Sequence, residues 1–182
     1  YRPTGESWHL PKEEALYFFD QSDLYPLKTI QGGMHLLANI NTYRVKTTED
    51  NIDTYLLSSK TGFSYSNGIS HLRGLGFLGF SEIETKKYSI EENKWIGKIV
   101  EKREILEHPF PMLHKSESLC YGLDDNGDFI ATSKSIFSNK YQNKYDGHTD
   151  KLSPFFFYHD STLAYDYLNN TETKIGQTYN NL

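Results

Sequence analysis

Cysteine is nearly missing from this sequence. Cys120 is the only one in 182 residues, which excludes an internal disulfide framework and a multi-cysteine metal site. Long hydrophobic runs are missing too. No stretch approaches the roughly 20 apolar residues of a membrane-spanning helix, and no secretory leader pattern is visible. Basic clusters are equally scarce. No Lys/Arg block exceeds two residues and the formal net charge is -5, so the electrostatic footprint of a nucleic-acid binder is not there. The seven histidines never fall in an H-x-H or H-x-x-x-H spacing, so no helical or strand metal pair is spelled out. There is no initiator Met: the chain opens "YRPTGESW" and closes "GQTYNNL", and the expectation is a piece of a longer protein.

What is abundant is aromatic. Fourteen Tyr and eleven Phe bring the aromatic share to 15% while the apolar share is only 37%. Tyr, Phe, Thr and Ile favour the pleated, half-buried surface of a sheet. The chain is long enough to bury a core.

Short strand-like runs separated by turn residues follow one another. "YPLKTI" (25–30) reads as a strand ended by Gly32-Gly33, and "MHLLANINTYRVKT" (34–47) as a longer one. Asn67-Gly68 is a strong two-residue hairpin signal, with "GFSYS" before it and "ISHL" after it. Beyond it Phe80, Glu82 and Glu84 alternate with Ser81, Ile83 and Thr85, the period of a strand. In "SIEENKWIGKIVEKREILEHPFP" a capping-box pair, Ser89 and Glu92, suggests a helix, but Gly97 weakens it. The favoured reading is a hairpin turning at Glu92-Asn93 and a strand from Trp95 to Leu106. Asn126-Gly127 marks another hairpin, 139–151 a polar loop, 154–170 an aromatic strand, and "ETKIGQTYNNL" one more strand-turn unit. "PKEEALYFF" (11–19) fits a short helical turn or a strand. The fold class expected is all-β, built of antiparallel hairpins in a meander.

Several fragments spell chemistry. Gly74, Gly76 and Gly79 match the dinucleotide pattern G-x-G-x-x-G. That fingerprint must follow a strand and open a helix, so that the helix N-terminus faces the pyrophosphate. Here "FSEIETKKYSI" follows with period two, and the glycines read as strand bends or close approaches. "EHPF" (107–110) begins like the loop of an AMP-transferring enzyme, but the phosphate-binding glycine run is missing. "LDDNGDF" suggests calcium; counted from Asp124, the required Gly and Glu are Phe129 and Ser135. A cysteine enzyme would join Cys120 to His148 or His159 and an orienting Asp160. A lone Cys is more often a small buried hydrophobe. The reading is therefore non-enzymatic, with no cofactor and no metal.

The order of the strand motifs carries a resemblance. "LYPLKTIQGGMHLLANI" precedes a block containing Phe63, Tyr65, Asn67, Gly68, His71, Arg73, Gly74, Leu75, Gly76, Phe77, Leu78, Gly79 and Phe80. This resembles the Rhs/YD-repeat superfamily, in the region found in toxin-complex B components and SpvB-like proteins. Leu75 stands where that family often has Arg, and Gly33 where Pro is usual. The resemblance covers roughly residues 1–110; 111–182 resemble YD-repeat hairpins more loosely, through Tyr-x-Tyr pieces and "TYNNL". It implies two regions, 1–110 and 111–182, within one strip of a large β-shell. The implied signature residues, structural in role, are Tyr65, His71, Gly74, Gly76, Phe77, Leu78, Gly79 and Phe80. The implied partners are the remainder of the shell and an encapsulated C-terminal toxin domain, in a secreted or cell-surface bacterial protein. The second reading is an aromatic-rich module that binds carbohydrate or protein by stacking.

Overall fold

The computed structural model of the chain describes residues 2–3, 15–19, 25–32, 34–49, 52–106, 111–143, 155–168 and 171–179. Every regular element among them is a strand. Two short strands, β1 (Arg2–Pro3) and β4 (His35–Leu36), pair with each other. The rest form one ten-stranded sheet.

The backbone of that sheet is a meander. β5 (Asn39–Glu49), β6 (Ile52–His71), β7 (Gly76–Ser89), β8 (Lys94–Leu106), β9 (Met112–Leu123), β10 (Phe129–Asn143), β11 (Phe155–Leu168) and β12 (Thr171–Tyr179) each pair antiparallel with the next. β6 is the longest at 20 residues and serves as the spine. One of its edges pairs with β7, from Lys60↔Tyr88 to His71↔Gly76. Its other edge is shared by three strands end to end: β5 up to Gly62, then β2 (Tyr17–Phe18) running parallel at Tyr65–Ser66, then β3 (Leu27–Thr29) antiparallel at Ile69–His71.

The all-β, antiparallel expectation holds, and most turns lie where the residues place them. The segment 89–106 is the hairpin, not the helix: β7 turns through residues 90–93 into β8. The Ser89 Oγ does accept the Glu92 N–H at 3.2 Å, so the cap-like pair closes a turn instead of a helix end. Asn93 takes φ 52°, and the Tyr88 hydroxyl donates to its side chain at 2.6 Å. The 124–128 turn is organised by Asp124, whose carboxylate accepts the N–H groups of Asn126 and Asp128 at 2.9 and 2.8 Å. "ALYFF" resolves as strand at Tyr17–Phe18.

Two expectations are corrected. Asn67-Gly68 is not a hairpin turn; both residues lie inside β6. A two-residue I′ turn needs positive φ at both positions, and here Asn67 has φ 47° while Gly68 stays extended. Tertiary packing claims Gly68: a Cβ there would meet Met34 Cε at 3.2 Å, Phe80 Cε1 at 3.2 Å and the Tyr17 hydroxyl at 3.3 Å. The turn falls four residues later, at 72–75. The second correction is the polar loop: residues 139–143 extend β10, pairing from Asn139↔His159 to Asn143↔Phe155. The remainder of that loop lies outside the described residues.

Apolar burial is concentrated at one end. Among the described residues the buried apolar side chains are Ala15, Leu16, Tyr17, Leu36, Phe80 and Val100. Leu16, Tyr17, Leu36 and Phe80 form one cluster, with Phe19, Met34, Ala38, Tyr65 and Ile83 packed around it. It sits where β2, β3 and β4 close against β6 and β7. From β9 to β12 no described element packs on either face.

Candidate functional site

The glycine block forms the tip of the β6–β7 hairpin and the first residues of β7. Gly74 has φ +97° and Gly76 φ +70°, and a Cβ on either would find nothing within 4 Å. Their glycine requirement is conformational. Gly79 combines φ +133° with a neighbour, since a Cβ would come to 3.2 Å from Leu113 Cδ1. The chain then runs on as strand, so no helix N-terminus faces the turn. Leu72, Leu75 and Phe77 at the tip are exposed.

Behind the tip the aromatic residues of the block meet. Phe80 lies 4.7 Å from Tyr65 and edge-on to Phe77 at 5.2 Å, centroid to centroid. Tyr17, 1% exposed, stands edge-on to Phe80 at 6.1 Å. Its hydroxyl donates to the Ile30 carbonyl and accepts the Gly68 N–H at 3.0 Å. Burial raises the Tyr17 pKa, against the opposite pull of the Gly68 hydrogen bond. Tyr65 donates to the Leu37 carbonyl at 3.2 Å. His71 is buried between Leu27 and Gly76 of the flanking strands, and Leu78 is half-buried. The structure thus unites Tyr65, Phe77 and Phe80, while His71, Gly74, Gly76 and Gly79 shape the turn and the strand that leaves it. Sequence reasoning missed Tyr17. Its only signal was the apolar run "ALYFF", which leaves helix and strand equally open.

Comparison of the chain with protein-family models, with curated proteins and with solved structures finds no match.

The second feature is a charged face that crosses β7 to β12. A shallow groove of about 290 Å³ opens over β6–β9, floored by Ser64, Glu82, Glu84, Lys98, Lys102 and Tyr121 among others. Glu84 meets Lys86 at 2.9 Å and Lys98 at 3.2 Å, with the Ser64 hydroxyl donating at 3.4 Å. Burial alone would raise the Glu84 pKa; hydrogen bonds and charge from Lys86 and Lys98 outweigh it and hold the carboxyl below its usual range. Farther along, Lys102 contacts Glu117 at 2.8 Å, and Lys134 bridges Glu117 and Glu172 at 3.6 Å each. Tyr167 donates to Glu172 at 2.7 Å, and that bond pushes its pKa up to about 12.

Several aromatic rings on this sheet are covered by cations, while Tyr43, Tyr55, Phe77 and Tyr179 stay exposed. Lys98 Nζ lies 4.7 Å from the Tyr121 centroid and 5.3 Å from Phe129. Lys60 stands over Tyr88 and Trp95 at 5.0 and 5.2 Å. Lys115 and Lys134 lie 4.9 and 5.8 Å from Phe137 and Tyr165. Each such contact contributes about 0.5–1 kcal/mol at a wet surface. The ammonium groups occupy the ring faces on which a sugar would stack.

Among the described residues the enzyme-like constellations do not assemble. Cys120 is half-buried on β9 opposite Ile99 and Ser133. His159 lies on β11 opposite Asn139, six positions along β10 from Ser133, or about 20 Å at the rise of a strand. Its Nε2 and the Thr162 hydroxyl are 2.6 Å apart. Asp160 pairs with Lys140 at 3.0 Å. His148 and "EHPF" lie outside the described residues. The Asp124 carboxyl has its pKa lowered, first by the Asp128 N–H and then by further donors in its own turn. It is consumed as a turn organiser. Among the described residues no three metal-binding side chains stand together.

Proposed function

We propose that this chain is a non-catalytic structural segment of a β-shell of the Rhs/YD-repeat type, in a secreted or cell-surface bacterial protein. One observation carries the reading: eight strands follow one another in an unbroken antiparallel meander, and the far half has no second layer among the described residues. Such a strip gains its order from neighbouring hairpins, as repeat architectures do. Its side chains are spent on holding strands together. The glycine block supports the same reading, since its residues build a hairpin tip and its packing and leave no reactive group in a cleft. The rival reading, a carbohydrate-binding face, is disfavoured on the charged face by the lysines that lie over Tyr88, Trp95, Tyr121, Phe129 and Tyr165.

Cross-linking mass spectrometry in the native host, directed at lysines, tests the proposal. Links from Lys98, Lys134 or Lys174 to polypeptide outside these 182 residues, on strands or on an enclosed domain, are expected. Intrachain links alone, on a free species of 21.1 kDa, would overturn it. Binding of a glycan by the purified chain, lost when Tyr88 and Trp95 are both replaced by alanine, would favour the rival.

A further inference from the structure

The tip of the β6–β7 hairpin is apolar and uncovered. Leu72, Leu75 and Phe77 are 55%, 47% and 50% exposed, and Tyr25, which precedes β3, is 66% exposed. Two hydrogen bonds hold the Tyr25–Pro26 segment to the tip. The Leu72 N–H donates to the Pro26 carbonyl at 2.8 Å, and Arg73 Nε donates to the Tyr25 hydroxyl at 3.0 Å. The Arg73 guanidinium also lies 5.1 Å from the centroid of the Tyr25 ring. Phe77 is braced from behind by its edge-on contact with Phe80. The shape is a projection, not a groove, since a Cβ on Gly74 or Gly76 would find nothing within 4 Å. The charge of these segments is of one sign. Residues 25–30 and 69–80 contain Lys28 and Arg73 and no Asp or Glu, in a chain whose net charge is -5. Lys28 is exposed and pairs with Ser70 across the β3–β6 ladder.

We propose that this tip docks on an anionic lipid bilayer. Leu72, Leu75 and Phe77 enter the boundary of the acyl chains, and Tyr25, Arg73 and Lys28 lie at the level of the head groups. Three features point to a bilayer instead of a protein. The first is area. An aromatic side chain buries about 150–250 Å² when fully covered, so four side chains that are about half exposed offer roughly 400 Å² at most. That is half of the ~800 Å² which each partner buries in a stable protein interface. A bilayer sets no such threshold: binding grows with the apolar area buried, and anionic head groups add attraction for cations close by. The second is shape. A fluid closes around a projection from every side, whereas a folded partner would need a matching pit. The third is composition. Tyr and Arg suit the wet boundary of a membrane, because each has an apolar body and a polar end, and here the two are already joined. The tip lies at the ends of β6 and β7, not on a ladder edge, so strands added beside the sheet in a shell leave it uncovered. The inference goes beyond the structural reading and stands without it.

Co-sedimentation of the 182-residue chain with lipid vesicles tests it. Vesicles of phosphatidylcholine alone are compared with vesicles that also contain phosphatidylglycerol. The wild type is expected to bind the mixed vesicles, and to bind the neutral ones more weakly. L72S/L75S is expected to lose binding to both by about tenfold or more, the worth of half-burying two Leu side chains. R73Q is expected to bind neutral vesicles as the wild type does and to lose part of the preference for anionic ones. Far-UV circular dichroism and a thermal melt matching the wild type establish that each variant is folded. Leu75→Ser alone replaces the pair if the pair does not fold, with a loss of about threefold or more expected. A wild type that sediments with neither kind of vesicle overturns the inference. So does binding that the Leu variants leave unchanged, which would place the contact on another surface. Growth in mass with concentration in the absence of vesicles, lost in L72S/L75S, would give the tip to a second copy and overturn it as well.

Discussion

The two ends of this sheet are held by different forces. Around β2, β3, β4 and the start of β7, Tyr17, Leu36 and Phe80 are buried in an apolar cluster. Across β8 to β12 most side chains, Val100 and Ser161 excepted, stay half-wet, and ion pairs and cation–π contacts link them, from Lys98 over Tyr121 to Lys134 between Glu117 and Glu172. The first kind of contact is non-directional and stabilises by area removed from water. The second is weak per contact and screened by salt. A sheet without a second layer cannot use the first kind. The comparison teaches that strand order can be kept where almost nothing is buried, provided cross-strand neighbours are chosen in pairs.

The sharpest way to break this comparison is to remove one ring from each end. Phe80→Ala empties the centre of the cluster and is expected to cost about 3–5 kcal/mol, the range for a buried Phe. Phe137→Ala removes a half-buried ring that lies against Lys115 and His159, and about 1 kcal/mol is expected from its contacts and partial burial. Urea denaturation of both variants measures the difference. Equal losses would mean that the two ends are not distinct.

A smaller effect is expected from Tyr17→Phe. The substitution keeps the ring and deletes the hydroxyl that serves the Ile30 carbonyl and the Gly68 N–H. Both groups would be left without that partner in a buried place, at about 1–3 kcal/mol. Hydrogen exchange at the Gly68 amide should accelerate in step with the stability lost. An unchanged exchange rate would show that the hydroxyl does not hold the crossing of β2 and β6.

Much of this architecture is legible in the sequence, and the misreadings have a physical pattern. Turns made by local chemistry are found: Asn126-Gly127 sits in a 124–128 turn tied by Asp124, and Glu92-Asn93 in the 90–93 turn. The Asn67-Gly68 signal misleads because a distant residue, Tyr17, uses the bare Gly68 backbone for close packing. No local rule can see a contact across 51 positions of sequence. The site shows the same split. Gly74, Gly76 and Gly79 read as bends or close approaches in a strand, whereas Gly74 lies in the 72–75 turn and neither Gly74 nor Gly76 is crowded; the aromatic knot behind them depends on β2, whose strand character a five-residue run does not reveal. The charged face is half-legible. Alternation at Glu82 and Glu84 marks a strand, but which lysine faces which acid depends on register shifts such as that between Lys87 and Tyr88.

The smallest effect concerns that charged face, and it separates the two ends by mechanism instead of by size. Glu84→Gln removes one charge between Lys86 and Lys98. Water over the groove screens the pair, so the loss at neutral pH is expected to be about 1 kcal/mol or less. Its dependence on conditions is the diagnostic. The folded Glu84 carboxyl is held below the unfolded value of 4.5, so its contribution is complete above that value and is lost as pH falls through the lower, folded value. The wild type should therefore lose part of its stability over that acid range, and Glu84→Gln should lose less. The gap between the two should close at low pH. It should also narrow in 1 M salt, where the screening length falls to about 3 Å. Phe80→Ala should show neither trend, because dewetting a ring does not depend on protons. Denaturation midpoints for the three proteins across pH and salt make the comparison. If the Glu84→Gln gap stayed constant in acid and in salt, the ion pairs of Glu84 with Lys86 and Lys98 would not be what stabilises the charged face.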